Sequence, residues 1–294
     1  MTGTSTIGAA LADGTKRLRM SGSPSARLDA EVLLAHVSGR DRSWILAHPE
    51  APLRETAAFA AALERRAVGE PIAYIRGFKE WRSLLIRTDP RALIPRPETE
   101  LLADEAIAAI SRRLARTSAR IVAWEVATGS GAIAVALAIH FGDALTSGRL
   151  RLIASDVAPE ALELAAENLA AHAVADDVTL LQADLLVPAG GLLLRPDVIV
   201  ANLPYVPSSE VAGRHGSLAF EPRLALDGGP DGLDLLRRLM DQLPGGAAAR
   251  ASVLLEIGAD QADAVMALAP PGASVSVVRD LAGLDRDVRV EMPD

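Results

Sequence analysis

Glu-Val-Ala-Thr-Gly-Ser-Gly-Ala, residues 125–132, joins a buried-strand pattern at Ile121–Ala127 to a helical pattern at Ala132–Phe141. Gly129 and Gly131 permit a tight turn and a close backbone approach, and the start of the following helix offers unpaired N–H groups. A doubly wound α/β sheet binds its ligand at such a turn, outside the carboxyl end of a parallel strand. The stretch therefore predicts this fold class, with a ligand site at the turn.

Strand and helix patterns continue to alternate after residue 120, which is typical of parallel strands joined by crossover helices. Short apolar runs predict strands at Ile121–Ala127, Leu150–Ser155, Val178–Gln182, Asp197–Ala201 and Ser252–Ile257, with closing strands at Val275–Val278 and Asp287–Val290. Helical patterns lie between them at Ala132–Phe141, Pro159–His172 and Asp260–Leu268. The carboxyl-terminal two thirds of the chain therefore predict a seven-stranded, Rossmann-like doubly wound sheet.

The first 70 residues have a helical pattern. Ala26–Val37 places Leu28 and Leu33 on one face, and Glu55–Val68 repeats this spacing with Phe59 and Leu63. These apolar faces predict a small helical bundle.

A change of pattern follows the predicted bundle. Residues 74–88 alternate with a period near two and predict a hairpin or an extended linker. A proline-rich stretch follows, in which Pro97 is expected at the first position of a helix that ends near Arg116. We therefore predict a helical domain at 1–73, a linker at 74–97 and an α/β domain at 98–294.

Composition excludes several classes of protein and site. The chain has 294 residues, half of them apolar, and no cysteine, so a disulfide framework, a zinc ribbon and an iron–sulfur cluster are excluded. The histidines lack metal-ligand spacing, and no metal site is expected. Neither a secretory leader nor an apolar run long enough to span a membrane is found, so we expect a cytoplasmic protein without a membrane partner. Residues 1–90 hold thirteen Lys and Arg against ten Asp and Glu. The remainder is strongly acidic, which argues against direct nucleic-acid binding.

Acidic residues near the turn indicate the kind of ligand. Glu125 would repel a pyrophosphate, so it disfavours a dinucleotide and suits the cationic groups of S-adenosylmethionine. Asp156, at the end of the second strand, would accept hydrogen bonds from both ribose hydroxyls, although it could simply cap the next helix. Asp184, after the third strand, would lie near an adenine edge, although it could be a turn residue.

A reaction motif follows the fourth strand as Asn202-Leu203-Pro204-Tyr205. A planar amide or aniline-like nitrogen is a poor nucleophile because its lone pair is delocalised. The Asn202 side-chain oxygen and the Leu203 carbonyl would accept its hydrogens and hold it in line with a methyl group, while Pro204 restricts the backbone of Leu203. Tyr205 would cover a planar substrate group.

These motifs together resemble S-adenosylmethionine-dependent amino-group methyltransferases, and three longer strings make the resemblance narrower. They are Gly-Glu-Pro-Ile-Ala-Tyr-Ile-Arg-Gly at 69–77, Leu-Ile-Pro-Arg-Pro-Glu-Thr-Glu at 93–100 and Glu-Pro-Arg-Leu-Ala-Leu-Asp-Gly-Gly at 221–229. From about residue 25 onward the chain is similar to the HemK/PrmC-type protein-(glutamine-N5) methyltransferases. The resemblance implies methylation of the glutamine in the Gly-Gly-Gln loop of class 1 peptide chain release factors.

The resemblance also implies the site residues. Cofactor contacts are expected from Glu125, Ala127, Thr128, Gly129, Ser130, Gly131, Asp156, Asp184, Leu185 and Asn202, and substrate contacts from Arg96, Pro97, Asn202, Leu203, Pro204 and Tyr205.

Three departures from the family pattern affect the interpretation. Glu125 replaces aspartate, Ala127 replaces a glycine, and Leu203 replaces the first proline of Asn-Pro-Pro-Tyr. The last change also makes the motif similar to that of ribosomal RNA adenine dimethyltransferases, so methylation of an adenine N6 in RNA or DNA is the alternative reaction. A binding module that has lost its chemistry is a further alternative, disfavoured because Asn202, Pro204 and Tyr205 are intact.

Overall fold

The structure, a computed structural model, describes residues 6–188 and 195–294. The chain forms two compact units. The smaller contains the described residues up to Phe78 together with Arg214–Phe220, and the larger contains Lys79–Gly213 and Glu221–Asp294 within the described ranges.

The smaller unit is helical, as the sequence predicts. Its helices are α1 (Ile7–Met20), α2 (Ala26–Ser38), α3 (Arg42–Ala47), α4 (Thr56–Ala67) and α5 (Ile72–Arg76). Leu33, Phe59 and Leu63 are buried between these helices. Leu28, predicted to lie on the core face of α2, is exposed instead. Asp29 takes the inward position because its carboxylate is paired with the partly buried Arg66 guanidinium at 2.7 Å.

A hairpin follows the helical bundle. It consists of β1 (Phe78–Trp81) and β2 (Leu84–Arg87), so the predicted hairpin is present but begins later than expected. Residues 74–76 belong to α5, which ends at Gly77 in the left-handed conformation. The left-handed glycine stops the helix and turns the chain into the hairpin.

The larger unit is built on one sheet in the order β6-β5-β4-β3-β7-β8-β10-β9. Its strands are β3 (Ile121–Val126), β4 (Leu150–Asp156), β5 (Val178–Asp184), β6 (Val187–Pro188), β7 (Val198–Ala201), β8 (Ser252–Glu256), β9 (Ser274–Arg279) and β10 (Asp285–Glu291). Strands β5, β4, β3, β7 and β8 are parallel, whereas β6, β9 and β10 pair antiparallel to their neighbours. The predicted seven strands are present, and the two-residue β6 is an additional edge strand.

Helices cover both faces of this sheet. They are α6 (Thr99–Arg116), α7 (Ala132–His140), α8 (Gly142–Thr146), α9 (Pro159–Ala171), α10 (Ser208–Ala212), α11 (Asp234–Gly246) and α12 (Ala262–Ala267). Helices α6 and α7 pack on one face with Ala123, and α11 and α12 pack on the other with Trp124. Neighbouring residues of β3 are thus buried on opposite faces, which confirms the doubly wound arrangement.

Several predicted boundaries need correction. Helix α6 begins at Thr99, so Pro97 lies in the preceding tight turn and is not its first helical residue. Asp184 is the last residue of β5 and does not follow that strand, whereas Asp156 lies at the end of β4 as expected.

Candidate active site

A cavity of about 640 Å³ lies at the carboxyl ends of β3, β4, β5 and β7 in the larger unit. Among the predicted site residues, it is lined by Arg96, Glu125, Ala127, Thr128, Gly129, Ser130, Asp156, Asp184, Leu185, Asn202, Leu203 and Pro204. Pro97, Gly131 and Tyr205 are not part of its lining. Parallel strands end at the same edge of a sheet, which explains why motifs far apart in sequence meet here.

The turn after β3 is left-handed at alternate residues. Ala127, Gly129 and Gly131 have φ values of 57°, 54° and 76°. Gly131 is also needed for close packing, because a Cβ at this position would lie 3.0 Å from the Cβ of Ala165 on α9. The backbone N–H of Thr128 donates to the Ser155 carbonyl at 2.8 Å and fixes the turn against β4.

We expect Ala127→Gly to stabilise the protein modestly. A left-handed alanine costs roughly 1–2 kcal/mol, whereas the extra freedom of glycine in the unfolded chain costs about 0.5–1 kcal/mol. The net gain should be measurable as a higher midpoint of chemical denaturation. A lower midpoint would show that the Ala127 methyl contributes packing that outweighs its backbone strain.

Glu125 is a buried carboxylate at the base of the turn, with 3% of its surface exposed. Its Oε2 atom is buried without a hydrogen-bond partner among the described residues. Burial is the main cause that raises the pKa of Glu125 to about 8. The negative charge of Asp156 adds to this rise, whereas hydrogen bonds from the Thr128 side chain and the Ala134 backbone oppose it. A cationic ligand in the cavity would give Oε2 the partner that the described residues do not supply.

Asp156 connects β4 to the turn. Its Oδ2 accepts from the Gly129 N–H at 2.9 Å and its Oδ1 from the Ala158 N–H at 3.0 Å. Burial raises its pKa, and these backbone hydrogen bonds oppose the rise. Asp156 does not cap α9, because the N-cap of that helix is Ala158 and no side chain caps it. The Asp156 carboxylate instead holds the turn after β3 and lines the cavity. Each carboxylate oxygen can accept a second hydrogen bond, so a ribose would still find acceptors here.

Asp184 is already engaged in an ion pair. Its Oδ2 lies 2.5 Å from Nη2 of Arg238 on α11, and both side chains line the cavity with about half of their surface exposed. Sequence patterns do not identify Arg238, because its partner lies on an element far away in the chain. The adjacent Leu185 is buried and left-handed.

The amide of Asn202 is fixed by Thr99, which lies in the 93–100 string but is not among the predicted site residues. Its Nδ2 donates to the hydroxyl of Thr99 at 3.1 Å, which leaves Oδ1 as the acceptor atom available to a ligand. Leu203 is buried, and Tyr205 lies away from the cavity lining with its phenol donating to Glu256 at 3.1 Å. Asn202 therefore lines the same cavity as Asp156 and the turn after β3.

Comparison with known proteins identifies the family. The model of the PrmC N-terminal domain matches residues 9–77. The release factor glutamine methyltransferase of Moorella thermoacetica is 41% identical over 286 residues, covering 96% of each chain. The chain belongs to the release factor glutamine methyltransferases. The corresponding enzyme of Salmonella typhimurium is 36% identical and covers 94% of this chain and 95% of its own.

A solved structure gives the same family name. It is the protein-(glutamine-N5) methyltransferase (release factor-specific) from Alicyclobacillus acidocaldarius, 30% identical, which covers 71% of this chain and 99% of its own with a TM-score of 0.40. Members of the release factor glutamine methyltransferases take their methyl group from S-adenosylmethionine, so the prediction of that cofactor is confirmed.

In this release factor glutamine methyltransferase, a buried glutamate holds the proline-rich wall of the site. Glu221 accepts from the Arg96 guanidinium at 2.6 Å and from the Ile94 N–H at 3.0 Å. The indole N–H of Trp81 donates to the Arg96 carbonyl at 2.8 Å. Arg96 lines the cavity with its charge already partnered, whereas Pro97 contributes only to the turn before α6. Both ends of the Glu221–Arg96 pair lie in the strings that carry the family resemblance, but their contact could not be inferred from spacing.

None of the described helices of this methyltransferase is both long enough and apolar enough to cross a membrane.

Proposed function

We propose that this chain methylates the side-chain amide nitrogen of the glutamine in the Gly-Gly-Gln motif of class 1 peptide chain release factors. The observation that supports this reaction best is the hydrogen bond from Asn202 Nδ2 to Thr99, because it leaves Oδ1 as an acceptor for a substrate N–H. This acceptor lines the same cavity as Glu125 and Asp156.

The cavity residues fit S-adenosylmethionine. Glu125 would accept from the cationic amino group, and Asp156 would accept from the ribose hydroxyls through its remaining lone pairs. Ala127, Thr128, Gly129 and Ser130 would follow the methionine part, with Asp184 and Leu185 near the adenine. When bound, S-adenosylmethionine supplies an electrophilic methyl group on its sulfonium.

The reaction motif would orient the nucleophile. The Asn202 Oδ1 atom and the Leu203 carbonyl accept hydrogen bonds from the two amide hydrogens of the target glutamine, which moves the nitrogen lone pair out of conjugation and towards the methyl group. Once the N–C bond has formed and the S–C bond has broken, the nitrogen loses one of these hydrogens to water as a proton. Pro204 restricts the backbone of Leu203 so that its carbonyl direction is set before the substrate arrives.

A transfer assay tests the proposed substrate against the alternative one. The chain is incubated with labelled S-adenosylmethionine and either a purified class 1 release factor or ribosomal RNA, and the labelled residue is mapped by mass spectrometry. We expect label on the Gly-Gly-Gln glutamine and none on adenine. Label on adenine N6, with none on the release factor, would establish the alternative reaction.

The helical domain at 1–73 is proposed to dock the large protein substrate. Lys16 and Arg19 are exposed cations on α1, and residues 1–90 carry a positive balance of charge. Electrostatic docking would increase the rate of encounter with an acidic partner surface. The linker at 74–97 would then connect this domain to the catalytic domain at 98–294.

We expect Lys16→Glu with Arg19→Glu to lower kcat/KM for an intact release factor by roughly twofold to tenfold, because rim charges mainly change the association rate. Methylation of a short Gly-Gly-Gln peptide should stay at the parental rate. The control is Arg195→Glu, which reverses an exposed charge three residues before β7 in the larger unit. Equal losses of kcat/KM with the peptide and with the intact factor would show that the helical domain does not dock the release factor.

A further inference from the structure

Glu256 is a buried acid next to the reaction motif that does not line the cavity. It is the last residue of β8, is 1% exposed, and accepts from the Tyr205 phenol through Oε1. The Thr99 hydroxyl also faces this carboxylate and counteracts the rise of its pKa that burial causes. Thr99 in turn accepts from Asn202 Nδ2, so one buried acid is connected to two residues of the motif.

The hydrogen atoms available to Asn202, Thr99 and Glu256 determine which of these side chains donates and which accepts. A threonine hydroxyl has one proton, and because its oxygen accepts from Asn202, that proton must be donated elsewhere. Glu256 Oε2 is buried without a hydrogen-bond partner among the described residues, and it belongs to the carboxylate that Thr99 faces. The largest number of these atoms is hydrogen-bonded when Asn202 donates to Thr99 and Thr99 donates to Glu256.

A second buried acid lies beside Glu256. Asp287 on β10 is paired in register with Glu256, and burial together with the charge of Glu256 raises the pKa of Asp287 to about 8. With this pKa, Asp287 is mainly protonated at neutral pH. Arg286 favours the charged form of Glu256, whereas Glu98 opposes it.

We infer that Glu256 and Thr99 are positioning residues for methyl transfer, which set the Asn202 amide so that Oδ1 and not Nδ2 is presented to the substrate. The inference rests on the proposed function, because only an N–H nucleophile needs an acceptor at this atom. The two ends of a side-chain amide have nearly the same shape, so hydrogen-bond partners decide its orientation. A reversed amide would place a donor against the hydrogens of the substrate nitrogen.

The test compares two substitutions of Thr99 in the full chain. Thr99→Val keeps the shape and removes the hydroxyl, whereas Thr99→Ser keeps the hydroxyl. We expect Thr99→Val to lower kcat roughly tenfold, the scale of one hydrogen bond, with a smaller change in KM. Thr99→Ser should recover most of the loss. The affinity for S-adenosylmethionine, measured by calorimetry, should be unchanged in both variants.

A double-mutant cycle separates positioning from general stabilisation of the site. If Thr99 acts through Asn202, adding Thr99→Val to Asn202→Ala should cause no further loss of kcat. Glu256→Leu should likewise have a smaller effect on kcat in the Thr99→Val background than in the parental chain.

Independent, additive losses in this cycle would overturn the inference, as would a parental kcat in Thr99→Val or a failure of Thr99→Ser to recover activity. The proposed function is judged separately by the product of the parental chain. If that product is methylglutamine and the losses are additive, only the positioning role is wrong. If the parental chain methylates adenine instead, the proposed substrate is wrong whatever the cycle gives.

Discussion

Replacement of Asn202 by alanine is expected to lower kcat by about 10²–10³-fold, on the scale of losing one preorganised polar contact in a transition state. The Oδ1 atom of Asn202 accepts a hydrogen more strongly as the substrate nitrogen becomes pyramidal, so the contact contributes more to the transition state than to the ground state. A smaller change in KM should accompany the loss of kcat.

Single-turnover methylation at saturating cofactor and substrate measures this effect. Calorimetry with S-adenosylmethionine shows whether the variant keeps its cofactor site. An unchanged single-turnover rate with a raised KM would show that Asn202 helps to bind the substrate but does not contribute to methyl transfer.

Replacement of Glu125 by glutamine is expected to weaken the binding of S-adenosylmethionine by roughly 10- to 100-fold near pH 8. The buried carboxylate loses its charge-assisted contact with the ligand cation, and truncation of such a contact costs about 2–5 kcal/mol. The lower part of this range applies because glutamine keeps the shape of the side chain and one acceptor oxygen.

The pH dependence of binding gives the sharper test of Glu125. Its pKa in the free protein is raised to about 8 by burial, so at lower pH a bound cation must displace a proton. Affinity should therefore rise with pH from 6 towards 8, by up to about tenfold per unit. The rise should not continue above pH 8, because an α-amino group loses its own proton at about 7.7–8.0.

Glu125→Gln has no proton to release, so the increase of affinity between pH 6 and 8 should disappear. Calorimetry in two buffers of different ionisation enthalpy reports the proton release directly. Equal slopes in the parental chain and the variant would show that Glu125 does not face the cation.

Much of the fold could be predicted because buried parallel strands leave short apolar runs in a sequence. The strand that ends at Val126 and the helix that starts at Ala132 were within one residue of the prediction. Helix α11 was not singled out by its pattern, because Pro244 and the two glycines after it are helix-breaking signals. Leu28 was placed on the wrong face because periodicity treats Asp29 as a surface residue, whereas its ion pair with Arg66 permits burial.

The sequence predicts those site residues whose positions follow from the order and direction of the strands. Glu125, Asp156 and Asn202 meet at one cavity because the parallel strands that carry them end at the same edge of the sheet. Thr99 and Glu256 could not be found in this way, since they reach the motif through side-chain contacts from a distant helix and strand. Their positions depend on packing, which sequence spacing does not record.

The orientation of the Asn202 amide towards its substrate is the central claim, and a crystal structure of a ternary complex tests it most directly. The complex contains the parental chain, S-adenosylhomocysteine and a Gly-Gly-Gln peptide. The account predicts that Asn202 Oδ1 and the Leu203 carbonyl oxygen each lie about 2.7–3.2 Å from the glutamine side-chain nitrogen, with Asn202 Nδ2 still bound to Thr99. A glutamine nitrogen outside hydrogen-bond distance of both oxygens, or an Asn202 amide that donates to the glutamine, would contradict it.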